Sequence, residues 1–352
     1  MDYKKKLEEL ILVVIRENGS DLHLSVGRVP VIRVSGELIF LLKHSVFTNG
    51  DIIGILGEVL GKEKVNKFME NQEADFSYDF RGEARLRGNA FFQKGLVCLV
   101  FRLVPKVKTI AELHLPSIIA DLARKKQGFF LVVGPVGQGK STTLSAMVDL
   151  INNEQARNII TIEDPIEHVY IPNKSIINQR EVGIDTHDFH IALKSVFRED
   201  VNVIMIGEMR TPETIATAVT AAETGHLVLS TLHTNNASQT IDRIIDSFPS
   251  DQQDQIRAQL ASSLLGIFSQ RLIPRITGGL IPAFELLLNN SAVSNLIREK
   301  RTHEIDVVIE TGMESGMIDL NHSLMELVRT GEISIENARQ YSLNPTGLDR
   351  ML

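Results

Sequence analysis

Four short apolar runs, each closed by turn residues, constrain the fold of this chain more than any other feature. They occupy residues 129–133, 158–162, 203–206 and 227–231, and helical stretches separate most of them. Strand-length segments with no polar face, alternating with helices, predict a parallel sheet covered on both sides. The first hundred residues have a different texture. Leu7, Leu10, Ile11 and Val14 fall at the spacing of one helix face. Residues 21–25 and 31–34 alternate polar and apolar, a helical segment follows at about 50–71, and strand-like stretches return at 85–91 and 96–103. The expectation is an α/β chain in four parts. A small sheet domain covers 1–104 and a proline-marked polar linker 105–112. A nucleotide-binding core at 113–285 and a helical C-terminal region at 286–352 follow.

Composition narrows the function classes. Lys and Arg number 37 against 44 Asp and Glu, a net charge of −7, which argues against a nucleic-acid partner. A single cysteine, Cys98, excludes an internal disulfide and any multi-cysteine zinc site, and its apolar neighbours predict a buried small hydrophobe. No stretch reaches the roughly 18–20 apolar residues of a membrane span. The short apolar run at 11–15 is bracketed by Glu8, Glu9, Arg16 and Glu17, unlike a signal peptide. A cytoplasmic protein is expected.

Directly after the first apolar run stands Gly134-Pro135-Val136-Gly137-Gln138-Gly139-Lys140-Ser141, followed by Thr142 and a helical pattern. This is a P-loop in its proper strand–loop–helix context. Glycines turn backbone N–H groups towards phosphate oxygens, and the helix N-terminus adds a favourable dipole. Lys140 can reach the β- and γ-phosphates of a nucleoside triphosphate, and the Ser141 hydroxyl can ligate Mg²⁺. A P-loop does not by itself separate kinases, GTPases and motors, but no Asn-Lys-x-Asp guanine reader follows. Acidic residues stand instead at the carboxyl ends of two strands, Glu163-Asp164 and Gly207-Glu208. There carboxylates can hold a metal through water and orient an attacking water. His226 and His233 bracket the last apolar run. Seven residues of extended chain span about 23 Å, so a shared metal site between them is excluded unless the chain bends. One of them can sense the γ-phosphate or a neighbouring subunit; each is equally well explained as structural.

These landmarks, in this order, resemble the secretion ATPase superfamily that drives type II secretion and type IV pili. Its Walker A motif is similar to residues 134–142. Its Asp box resembles Thr161-Ile162-Glu163-Asp164-Pro165-Ile166-Glu167, and its atypical Walker B resembles Ile206-Gly207-Glu208-Met209-Arg210. Its His box resembles the stretch from Gly225-His226 to Leu232-His233-Thr234. Residues 178–183 and 269–274 also fit. Residues 20–24, 32–36 and 295–299 resemble the PilT-type retraction branch, as does the stretch 312–333. Extension ATPases typically carry an additional N-terminal domain and a tetracysteine zinc motif, which this sequence does not accommodate.

The resemblance implies a PAS-like N-terminal domain followed by a RecA-like ATPase domain, assembled as a homohexamer that hydrolyses Mg-ATP. Nucleotide is expected between the two domains, at the cytoplasmic face of the inner membrane. The implied partners are the pilus platform protein and other pilus ATPases. Glu163 is the implied general base, Glu208 the support of metal and water, and His226 and His233 the coupling residues. Arg87 and Arg102, with Arg85 as an alternative, are the implied arginines that complete the site. Some positions depart from the family pattern. Residues 198–202 read Arg-Glu-Asp-Val-Asn where Arg-x-Asp-Pro-Asp is usual. Thr211 replaces an acid, and Val136 and Gln138 replace Thr and Ser. An extension or accessory ATPase, a RecA-like DNA translocase and a non-hydrolysing P-loop scaffold remain open on the sequence. Pilus counts, stimulation by DNA and a turnover assay separate them.

Overall fold

The structure, a computed structural model, describes residues 2–34, 36–82, 84–104 and 107–352, with residues 62 and 63 described as backbone alone. Ser35 of the N-terminal motif and Pro105 and Lys106 of the expected linker lie outside the described residues. The chain divides into two compact units, Met1–Lys106 and Val107–Leu352.

The first unit runs α1 (Tyr3–Arg16), β1 (Gly19–Ser25), β2 (Val31–Val34), β3 (Glu37–Phe40), α2 (Asn49–Asn71), β4 (Glu73–Phe80), β5 (Ala84–Gln93) and β6 (Leu96–Leu103). Its strands form an antiparallel sheet in the order β3-β2-β1-β6-β5-β4. Leu7, Leu10, Ile11 and Val14 of α1 are buried, and they pack with Leu22, Leu24, Leu99 and Phe101 of the sheet and with Ile52, Ile55 and Leu56 of α2. β3 and β4 are additions to the sequence expectation. β3 carries an apolar run, Leu38-Ile39-Phe40, whose side chains are all exposed, and β4 alternates largely polar residues with Ala74, Phe76, Tyr78 and Phe80, so it presents no continuous apolar run.

The second unit opens with α3 (Ile118–Ala123), β7 (Gly128–Val133), α4 (Lys140–Glu154), β8 (Asn158–Glu163), β9 (Ile176–Glu181), α5 (Phe189–Val196) and β10 (Val203–Ile206). It continues with α6 (Pro212–Glu223), β11 (Leu227–Leu232), α7 (Ala237–Asp246), α8 (Gln253–Ser263), β12 (Leu264–Pro274) and β13 (Leu280–Leu288). It closes with the α-helices α9 (Ser291–Arg298), α10 (Ile305–Thr311), α11 (Leu320–Arg329), α12 (Ile335–Tyr341) and α13 (Pro345–Asp349). The sheet order is β13-β12-β7-β11-β10-β8-β9. Every neighbouring pair is parallel except the β12–β13 hairpin.

The apolar runs explain this sheet. All six residues of β7 are buried, and they feed two cores in alternation. Phe129, Leu131 and Val133 join the cluster beneath α5 to α9, while Phe130 and Val132 join the one beneath α3 and α4. Each such side chain, fully removed from water, contributes about 1.5–3 kcal/mol. Ile110 of the expected linker is buried in the core beneath α3 and α4, as is Leu115 just beyond the linker. The C-terminal region is helical as expected, beginning after β13. Among the described residues no helix is long and apolar enough to cross a membrane.

Candidate functional site

The parallel register brings the carboxyl ends of β7, β8, β10 and β11 to one edge of the sheet. The loop from β7 to α4 turns there on Gly134, Gly137 and Gly139, with φ of 144°, 79° and 77°. Gly134 is required twice over, because a Cβ would stand 2.4 Å from the Gln270 carbonyl oxygen. The first turn of α4 carries no side-chain cap, so its N–H groups and dipole are presented to an anion. Residues 136–142 line a cavity of about 390 Å³ together with Glu163, Glu167, Glu208, Thr231 and His233. Gly134 and Pro135 are not among the residues that line it; their carbonyls accept from Lys140 Nζ at 2.9 Å each. Lys140 is buried. Desolvation lowers its pKa, and the Glu208 and Glu167 carboxylates pull it back up.

Glu163 ends β8 as a buried carboxylate. Its Oε1 accepts from Thr161 Oγ1 at 2.7 Å and Gln179 Nε2 at 3.2 Å, and its Oε2 accepts from the Glu167 N–H at 3.4 Å. Burial pushes the Glu163 carboxyl up, and these donors hold it down in part. Glu208 follows β10, its Oε1 ion-paired with Arg210 and its Oε2 3.5 Å from His233 Nε2. His233 Nδ1 lies 3.3 Å from Lys140 Nζ. An ammonium only donates, so Nδ1 must accept and Nε2 carries the hydrogen towards Glu208. His233 thus bridges the phosphate-loop lysine and the strand-end carboxylate.

The residues fit a nucleoside triphosphate with magnesium. The glycine cradle and uncapped helix suit phosphate, and the Ser141 hydroxyl and Glu208 carboxylate on the same cavity are hard oxygen donors. Magnesium is commonly held by one or two protein oxygens plus substrate phosphates.

The remaining expected residues are elsewhere. His226 precedes β11 at the opposite end of the strand. Its Nδ1 lies 2.9 Å from the Ala221 carbonyl, and its ring meets Phe197 edge-on at 5.7 Å. Among the described residues it does not line the cavity. Arg87 and Arg102 belong to the first unit, paired in register across β5 and β6. Arg102 Nε donates to buried Asp21 at 2.8 Å, and Asp21 pairs in register with Arg33 on its other side.

Thr143 and Gln270, which hold the phosphate loop, were given no role in the sequence. Gln270 on β12 accepts from Thr143 Oγ1 at 2.6 Å and donates to the Gln138 carbonyl at 2.7 Å. Gln138, one of the departures, accepts the Leu272 N–H through Oε1 at 2.6 Å, so its longer side chain ties the loop to β12. Thr211 caps α6 by accepting from the Thr214 N–H, as an aspartate would. In the altered 198–202 turn, Asn202 Oδ1 accepts the Asn158 N–H, and Asn158 Nδ2 donates to the carbonyls of Glu199 and Asp200.

Residues 100–336 match the type II/IV secretion system protein family. The type IV pilus retraction ATPase PilT of Pseudomonas aeruginosa is 42% identical over 96% of this chain and 98% of its own. A twitching motility protein of Neisseria gonorrhoeae is 44% identical over 90% of this chain and 84% of its own. A crystal structure of the pilus retraction motor PilT with bound ADP superposes with a TM-score of 0.90 at 43% identity, covering 98% of this chain and 99% of that one. With this phosphate loop and these strand-end carboxylates, the chain belongs to the type II/IV secretion system ATPases, in their PilT-type branch.

Proposed function

We propose that this chain is the homohexameric motor that retracts type IV pili, using Mg-ATP hydrolysis at the cavity behind the phosphate loop. The observation that carries the reading is the convergence of Lys140, Glu163, Glu208 and His233 on that one cavity. The full-length similarity to a pilus retraction ATPase supports the direction of the motor.

Backbone N–H groups of residues 136–142 and Lys140 hold the phosphates. Ser141 and Glu208 hold magnesium, which when bound offsets charge on the phosphate oxygens. Glu163 orients the attacking water and takes its proton. His233, between Lys140 and Glu208, senses whether the γ-phosphate is present. His226, at the far end of β11, couples the strand to α6 through Ala221. Arg87 and Arg102 supply positive charge to the transferring phosphoryl group of a neighbouring subunit, a contribution of about 10³–10⁵ in rate for arginine fingers. The N-terminal sheet unit and the ATPase unit act as the two moving bodies of each subunit. The partners are the inner-membrane platform protein and other pilus ATPases, reached from the cytoplasmic face; nucleic acid and zinc have no part. A ligand drives such a motor only through contacts made in one state and lost in the other, which is the place of the γ-phosphate.

Lys140→Ala and Glu208→Gln should each abolish Mg-dependent ATP turnover. Both proteins turning over normally would remove the site assignment. In a strain lacking this protein, surface pili should accumulate without twitching, and the wild-type copy should restore retraction. Bare cells would make it an extension motor.

A further inference from the structure

The hydrogen bonds around Glu163 are unevenly divided between its two oxygens. Thr161 and Gln179 are registered partners across the parallel β8–β9 pair, and Glu163 is two residues beyond Thr161 on the same face. Both side chains donate to Oε1 of Glu163, at 2.7 and 3.2 Å. Among the described residues, Oε2 receives the long 3.4 Å N–H of Glu167. The orientation of Gln179 is set by its surroundings. Its Oε1 accepts the Tyr170 N–H at 3.2 Å, and its Nε2 also donates to the His168 carbonyl at 2.8 Å. Turning the amide over would place an NH₂ against an N–H and an oxygen against a carbonyl, so the donor faces Glu163.

We infer that Thr161 and Gln179 are positioning residues for Glu163, fixing its Oε1 so that Oε2 is the atom that meets the attacking water. This rests on the proposed role of Glu163 as general base. In that step a water O–H bond breaks and its proton passes to Oε2. The water oxygen bonds to the γ-phosphorus, and the bond to the β–γ bridging oxygen breaks with its electron pair leaving on ADP. A carboxylate with a free rotor would spread its lone pairs over many directions; two donors on one oxygen hold the other in a single place. The same donors stabilise the charged form of a carboxylate that burial would otherwise neutralise.

The test uses the full chain with Thr161→Val, which keeps the shape and removes the hydroxyl, and Thr161→Ser, which restores it. Turnover, ATP affinity, thermal midpoint and the pH profile of kcat are measured. For Thr161→Val, kcat should fall about tenfold, and the acidic limb should move up by about one pH unit, because the lost donor had favoured the carboxylate. ATP affinity should stay within about twofold, since no phosphate contact is removed. Thr161→Ser should restore kcat and the limb. Gln179→Glu keeps the acceptor for Tyr170 but loses the donor and adds a like charge, so it should move the limb further in the same direction. An unmoved limb with kcat intact would overturn the inference, as would a kcat loss matched by equal losses of affinity and thermal midpoint. Glu163→Gln separates the two levels. If it turns over ATP like wild type, the base assignment itself fails. If it is inactive while Thr161→Val behaves as wild type, the positioning role alone fails.

Discussion

At the scale of single residues, the site depends on how far a carboxylate reaches. Glu163 is buried, and burial raises its pKa, so the ionised form needed to accept a proton is lost at higher pH than for an exposed glutamate. Turnover should therefore fall on the acid side, starting above the ordinary carboxylate range, with ATP binding persisting through that fall. Glu163→Asp tests the geometry: one methylene less withdraws the carboxylate by about 1 Å, and a displacement of that size costs about a hundredfold in kcat. An aspartate variant with wild-type kcat would show that reach does not matter here. The phosphate-loop residues, Glu163 and Glu208 were legible because their spacing to strand ends is local. His226 and His233 looked equivalent because both flank the same apolar run. Only the direction of β11 separates them, placing His233 on the cavity and His226 against Ala221. Thr161 and Gln179 were quoted in motifs but given no role, since their meeting depends on the register of β8 with β9.

At the scale of elements, the phosphate loop is held from the side by β12. Gln270 is buried, and it joins Thr143 of α4 to the Gln138 carbonyl. Gln270→Ala strands both partners, and a buried group left unpaired costs about 1–3 kcal/mol. Part of that loss falls on the ordered loop, so ATP affinity should drop about tenfold at about 1.4 kcal/mol per decade, with a lower thermal midpoint. Unchanged affinity in a nucleotide titration would show that the loop keeps its shape without β12. β12 and β9 were hard to see from sequence because their apolar residues are interrupted by Ser-Gln-Arg and Asn-Gln-Arg. The glutamine of each triplet, Gln270 and Gln179, is the residue that reaches the site, so the feature that hid the strands is also the one that ties them to it. β7 and β10, with no polar interruption, were legible from their apolar runs, as was β11 from Leu227-Val228-Leu229 ahead of its Ser230 and Thr231.

At the scale of the whole molecule, composition set the acidic balance and the texture change near residue 105 marked the division into two units. Neither indicated where in the folded chain a charge would be costly. Glu285 on β13 is such a place. Burial, with Asp306 and Asp319 adding repulsion, raises its pKa from 4.5 to about 7, although the Ala237 N–H at 2.7 Å and Arg271 act in the opposite direction. The folded protein therefore holds this proton where the unfolded chain has released it. Folding is favoured by the protonated form, and stability is lost as pH rises from about 4.5 to 7, then stays level from this cause. At 1.36 kcal/mol per pKa unit the full effect is about 3 kcal/mol. Glu285→Gln stays neutral at every pH and keeps an oxygen for Ala237, whose N–H opens α7 just beyond the His233 loop. Its thermal midpoint should stay close to wild type at pH 5 and exceed it at pH 8 by roughly 6–12 °C, taking about 2–4 °C per kcal/mol for a unit of this size. A gain of equal size at both pH values would mean that the glutamine improves packing rather than removing a buried charge. No gain at pH 8 would mean that Arg271 already neutralises Glu285 in the folded state.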